Sequence, residues 1–423
     1  MMLPLHGVGT RQDLPLPFSL VVIGSAITLL VTFALVLRSW REPRWQSPAG
    51  RPLPRFTRLV DHPITLWAGR VLVAGLVAVA LLALVAGPDL ITNPFPGFLF
   101  VWVWVGLVPV SLLAGQVWRR LSVVRTVLTP WGGHRDASGV PLPGPGVYPA
   151  AVALLAFLWL ELVQPDRATT AVLRWWVLGF AVWVLVGAAV RGVRWVGSAE
   201  PFEVFAQTMA RLSPWHRRDD VVHLTNPVRH LVSVEAPRGL WAVCCVLLAG
   251  TAFDSLGAGL WWIRLTQASG APGWLWGTAG LLGCLGVVAG SFALGVHFVR
   301  GATRDSLARS LVPIVAGYAL AHYATLLVLE GQRVAINLSD PLGRGDNWFG
   351  TAELGVNAVI FDYAGVVAWA QVVFIVGGHV LGVLAAHDIA LRTMPRERQV
   401  AGQLPLLLVM VGYTVGGLLL LFG

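Results

Sequence analysis

An all-α, polytopic bundle of about ten transmembrane helices, with N-terminus and C-terminus both outside, is the fold class the chain predicts, on three observations. First, 56% of its 423 residues are hydrophobic and only 12% charged, with a mean hydropathy of +0.71. A soluble domain carries roughly 25% charged residues, so a water-soluble globular enzyme is excluded. Second, the apolar residues gather in runs of about 15 to 25, long enough to cross roughly 30 Å of hydrocarbon at about 1.5 Å per residue. Third, 23 of the 30 arginines fall in alternate connections between those runs, the pattern expected when basic residues stay cytoplasmic.

The spans follow in order. Span 14–37 opens after Asp13 and closes before Arg38, and 66–86 holds a single cation, Arg70. Span 97–117 carries Trp102 and Trp104, 149–163 is the shortest run, and 175–190 opens on Trp175 and Trp176. Span 239–262 closes on Trp261 and Trp262, and 273–299 opens near Trp274 and Trp276. These aromatic ends read as an interfacial belt. Spans 311–329, 364–386 and 404–421 complete the set. The arginine-rich connections are 38–65, 118–148, 191–238, 300–310 and 387–403, whereas the other set and the N-terminus hold six arginines. One missed or invented span would invert the alternation downstream of it. No fixed-period repeat is visible, so residues 1–423 read as one polytopic domain. Gly286/Gly290 and Gly378/Gly382 are small pairs four apart that permit close helix packing.

Other residues narrow the function classes. All 30 basic residues are arginine, which excludes a GxxxxGK[ST] phosphate loop and any lysine nucleophile or Schiff base. Cys244, Cys245 and Cys284 lie inside apolar runs with no CxxC pair, so they read as buried thiols. The basic excess belongs to topology, and nucleic acid is not expected as a partner; the lipid bilayer is. In the inner loop 191–238, Phe202, Phe205, Met209 and Leu212 recur at helical spacing, which predicts a short amphipathic helix lying in the interface. The outer loop 330–363, rich in Asp, Glu, Asn and Gly, is expected to cap a site. The loop histidines His134, His216, His223 and His230 are expected to be solvated.

Ionisable residues inside spans are expensive in lipid and mark function or a packing pair. Asp254, His322 and Gln371 share a depth about 10 to 12 Å below the outer end of their spans and are predicted to converge in one outward-opening cavity. Asp254, His322 and Glu330 are the candidate catalytic residues and metal ligands, because imidazole plus carboxylate suits Zn²⁺, Mn²⁺ or Fe²⁺ and an open position leaves room for an activated water. The bland alternatives are an imidazole bonded to a neighbouring helix and an aspartate exposed beyond an early helix end near Phe253. His379 and Tyr318, nearer the inner end, are expected to hydrogen-bond to each other. His322 and His379 differ in depth by roughly 12 Å, which fits one bis-His haem poorly.

Several segments together resemble a bacterial family of polytopic membrane proteins labelled fenitrothion hydrolase. They are His6-Gly7-Val8-Gly9 with Asp13-Leu14-Pro15-Leu16-Pro17, Phe202-Glu203-Val204-Phe205 before Arg211-Leu212-Ser213-Pro214, and Phe253-Asp254-Ser255-Leu256. Ala321-His322-Tyr323 with Glu330-Gly331-Gln332, Ser339-Asp340-Pro341-Leu342-Gly343, and Gly378-His379-Val380-Leu381 through Ala386-His387-Asp388 complete the likeness, which spans nearly the full chain. It implies a bacterial inner-membrane protein that hydrolyses an apolar phosphoester. Relatives carry an apolar leader before the His-Gly pair, whereas only five residues precede His6 here. A histidine at a processed N-terminus would chelate Cu²⁺.

Three functions are therefore compared. The first is a membrane-embedded, metal-dependent hydrolase of an apolar ester using Asp254, His322 and Glu330. The second is a transporter or metal-handling permease in which Asp254 and His322 outside, with Gln371, Tyr318 and His379, line a pathway. The third is a structural subunit of a membrane complex.

Overall fold

The computed structural model describes residue 14 and residues 16–47, 50–128 and 144–422; His6 and His134 lie outside the described residues. Nine described helices are long and apolar enough to cross a membrane, and a tenth, Tyr148–Leu162, is apolar but shorter. We number these α1 (Phe18–Ser39), α2 (Pro63–Ala86), α3 (Pro94–Ala114), α4 (Tyr148–Leu162) and α5 (Thr170–Arg191). The remainder are α6 (Leu240–Gly257), α7 (Gly273–His297), α8 (Val312–Asn337), α9 (Ala364–Thr393) and α10 (Gln399–Phe422). The chain is thus an all-α polytopic membrane bundle.

Local chemistry sets the helix starts. Pro63 and Pro94 occupy first-turn positions where a missing N–H costs nothing, behind His62 and Asn93, whose side chains accept from Ile64 N and Phe95 N. Thr169 caps α5 through Val172 N. Gly192, at φ 80°, follows the end of α5, a backbone state that glycine adopts at little cost.

The arginine-rich connections meet physically at one end of the bundle. Strand β1 (Arg51–Pro52) pairs with β3 (Val221–Leu224), which pairs with β2 (Trp215–Arg218), joining 38–65 to 191–238 in a three-stranded antiparallel sheet. Arg44 N donates to Asp388 Oδ1 at 2.7 Å, Val147 N to Arg238 O at 2.8 Å and Gly239 N to Asp305 Oδ1 at 3.0 Å. The other connections gather at the opposite end: Thr170 N donates to Asp89 Oδ1 at 2.9 Å and Trp159 Nε1 to Thr278 Oγ1 at 2.9 Å. Residues near both ends of α4 take part in these two groups, so this short helix runs from one end of the bundle to the other. Phe18 and Phe422, with ring centroids 6.1 Å apart, put the start of α1 beside the finish of α10, as an even number of crossings requires.

Helix α8 is the axis of the bundle. Of the most apolar window around it 72% is buried, against 17% for α2 and for α5, which face outward. It crosses α9 at backbone contact: a Cβ added to Gly317 would lie 2.3 Å from Phe374 O, and one on Gly378 2.5 Å from Pro313 O. Gly382 is equally confined, 2.7 Å from Ser310 O, whereas Gly286 and Gly290 face open space. Small residues therefore serve close packing at one of the two expected pairs and not at the other.

Three expectations are corrected. Span 239–262 stops at Gly257, and Leu260–Ala268 forms a separate helix after the Ala258-Gly259 break. The helix at Pro201–Ala210 has no open polar face: every residue but Gln207 is buried, and Phe205 stacks on Trp104 of α3 at 4.7 Å. Its periodic apolar residues mark only one of its buried faces. The other is held by charge, with Arg125 donating to Glu203 Oε1 and Oε2 at 2.5 Å and Gln207 Nε2 donating to Glu203 Oε1 at 2.9 Å. His216, on strand β2, and His230 are buried, 7% and 6% exposed, with their rings packed 5.1 Å apart.

Candidate functional site

Asp254 stands one turn before the end of α6, where the helix rotates its carboxylate toward α8. Its Oδ2 lies 2.9 Å from His322 Nε2 and accepts from Tyr323 OH at 2.9 Å. Neighbouring residues on a helix point about 100° apart, so a carboxylate between them can meet both. The two rings stand at 90° with centroids 4.5 Å apart. His322 is 3% exposed, while the Asp254 side chain keeps 22% exposure at the surface of the bundle. Toward an ionised Asp254, which can only accept, Nε2–H is the donor and the imidazole lone pair sits on Nδ1.

Tyr318, one helical turn before His322, is stacked on it at 5.9 Å and 16°, and its hydroxyl meets Ser255 Oγ at 3.2 Å. This placement corrects the expected Tyr318–His379 bond. The i, i+4 relation puts Tyr318 on the His322 face, while His379 Nδ1 donates instead to Ile375 O, at 2.8 Å, in its own helix. His379 is 1% exposed, and its Nε2 has no hydrogen-bond partner.

Gln371 reaches the cluster through backbone. Its Nε2 donates to Ala321 O at 3.0 Å, tying α9 to α8 beside His322, and its Oε1 has no hydrogen-bond partner. The three residues of shared depth thus lie on adjacent helices, with Asp254 and His322 in direct contact.

Glu330 is placed elsewhere. It follows His322 by two turns of α8, about 12 Å along the axis, and pairs with Arg333 Nε at 2.9 Å. Among the described residues no group of three or more His, Cys, Asp and Glu is arranged to hold a metal ion. Two expected ligands meet, and the third is committed to a surface ion pair.

The 330–363 connection is partly helical, since α8 runs to Asn337. Beyond it Asp340 accepts from Arg344 N at 2.9 Å and Gly345 N at 2.8 Å, and these bonds hold its carboxyl below the usual range. Pro341 and Gly343 sit against Gly87 and Pro88 at the end of α2.

Sequence reasoning missed Glu161. It lies in the last turn of α4, and its Oε2 is buried without a hydrogen-bond partner. An acidic residue two positions inside an apolar span was the available signal. Tyr323 was legible only as the neighbour of His322. Comparison with family models, curated proteins and solved structures finds no match to this chain.

Proposed function

We propose that the chain is a membrane-embedded hydrolase of an apolar ester, in which His322 is the general base and Asp254 the carboxylate that orients it. The observation that carries this reading is the 2.9 Å contact between Asp254 Oδ2 and His322 Nε2, with Tyr323 on the same oxygen. A carboxylate on one imidazole nitrogen fixes the tautomer and stabilises the imidazolium that forms when the other nitrogen takes a proton. His322 then removes a proton from water, the resulting hydroxide adds to the phosphorus or acyl carbon, and the aryl-oxide leaves. General-base assistance of this kind contributes about 10²- to 10⁴-fold.

The resemblance to the fenitrothion hydrolase label supports an apolar phosphoester as substrate, and the arginine asymmetry supports a site opening to the outer face of a bacterial inner membrane. The donor set does not fit a three-ligand divalent ion, because Glu330 is held by Arg333, and no step is assigned to a metal.

The test is release of phenolate from an aryl phosphotriester by the purified chain, wild type against His322→Gln. Turnover lost in the variant supports the reading; turnover absent from the wild type ends it. A second reading, a proton-coupled permease, is favoured by the Glu161 carboxyl, buried in α4 without a hydrogen-bond partner, since chains of Asp, Glu and His within a membrane relay protons. Solute flux into proteoliposomes without ester turnover would establish that alternative.

A further inference from the structure

At the arginine-rich end, far from Asp254, the sheet and its neighbours form a half-open cavity of about 440 Å³ whose polar lining is Ser47, Gln116, His216, Arg217, Arg218 and His230. Its wall is a built site. His230, 6% exposed, is bonded to the Ser213 backbone, while its Nδ1 is buried with no hydrogen-bond partner. Burial first, and then the charge of His216, hold its pKa down to about 4, so the ring is neutral near pH 7 and Nδ1 offers a lone pair. The His216 ring lies 5.1 Å from His230 and 5.2 Å from His223.

Two guanidiniums complete the lining. Arg217 is anchored on Asp61 and Asp220 O, so its position is fixed by the fold. Arg218 is loosely engaged, 3.5 Å from Asp219 with a side chain 59% exposed, and is able to turn toward a ligand. The hairpin that presents both turns through Asp219 and Asp220, at φ 49° and 61°.

These groups specify a ligand by elimination. Paired guanidiniums repel a cation and present planar forks that match a tetrahedral oxyanion. A lone pair on buried Nδ1 asks for a hydrogen-bond donor. Sulfate, carboxylates and phosphodiesters carry no donor on their ionised oxygens. A phosphate monoester has a second pKa of about 6 and presents a P–OH part of the time near neutral pH. We propose that this cavity binds a phosphate monoester group, which Arg217 and Arg218 hold by its ionised oxygens and which donates its P–OH to His230 Nδ1.

The group can arrive on a lipid head, as in phosphatidic acid, or free in solution. The test is calorimetric titration of the purified full chain in detergent with inorganic phosphate and, separately, with sulfate. Saturable phosphate binding at least about 10-fold tighter than sulfate is expected, from the one hydrogen bond that sulfate cannot make. Arg218→Gln, at an exposed side chain whose loss leaves the fold intact, should weaken phosphate roughly 10-fold or more; His230→Phe should abolish the preference over sulfate.

Reconstitution in phosphatidylcholine with and without phosphatidic acid separates the sources. Phosphate binding suppressed by phosphatidic acid identifies the lipid head, and unaltered binding identifies the free ion. Absence of saturable phosphate binding, equal affinity for sulfate, or affinity unaltered in Arg218→Gln would each overturn the proposal, as would Zn²⁺ binding at the cavity that phosphate does not affect.

Discussion

Replacing Gly317 by alanine forces apart two helices that cross at backbone contact. The new Cβ would lie 2.3 Å from Phe374 O, where ordinary contact begins at about 3.4 Å, so α8 and α9 must separate by about 1 Å. Backbone cannot rotate away as a side chain can, which puts the overpacking cost near the upper part of a range of about 1 to 3 kcal/mol. Alanine recovers up to about 1 kcal/mol of helix propensity, leaving a net destabilisation of about 1 to 2 kcal/mol. Gly286→Ala is the control, because nothing lies within 4 Å of its Cβ and only the propensity gain applies. The assay is reversible unfolding of both variants in mixed micelles, where they should differ by about 2 to 3 kcal/mol. The displacement also reaches the site, because Gly317 adjoins Tyr318 and the 3.0 Å Gln371–Ala321 bond spans the same crossing. Equal stability of the two variants would refute the reasoning.

Three further outcomes follow from particular contacts. Glu203→Ala removes the buried carboxylate that Arg125, with a side chain only 10% exposed, holds by two bonds, and should cost about 3 to 5 kcal/mol in the same unfolding assay. The double change Arg125→Met with Glu203→Leu should recover most of that loss. Burial, with the Glu203 charge, raises the Glu200 carboxyl from 4.5 to about 8. A raised acid contributes stability that is complete below pH 4.5 and lost as pH rises through about 8, so melting temperature should fall over that window and Glu200→Gln should flatten the fall. Asp346→Cys should react with an impermeant thiol reagent added outside intact cells; reaction only after permeabilisation would invert the topology.

Much of the fold was legible because bilayer physics writes it plainly. Apolar length and arginine alternation place ten helices, and even the short α4 falls where residues 149–163 predicted it. The contact of Asp254 with His322 was legible as a shared depth, since rise per residue converts sequence position into height. Rotation about the helix axis was harder to read. Tyr318 was assigned by height to His379, whereas the one-turn spacing to His322 decides its face. Glu330 lies on the same helix as His322 but two turns away, a distance that ligand chemistry alone does not see. The inner loop was least legible: Glu203 reads as a polar break in an apolar pattern until Arg125, 78 residues earlier, is found against it. The pairing of Arg51 with Leu224 likewise had no local signal, because strands of two to four residues are too short to show alternation.

The central claim, that Asp254 and His322 act as one catalytic unit, is tested most directly by a double-mutant cycle on aryl phosphotriester turnover. Wild type, Asp254→Asn, His322→Gln and the double variant are compared in purified, folded protein. Each single change should lower turnover by about 10² to 10⁴, and the double variant should lose little more than the worse single one, because residues that work as a unit are not additive. Turnover undiminished in both single variants, or losses that multiply in the double, would contradict the account.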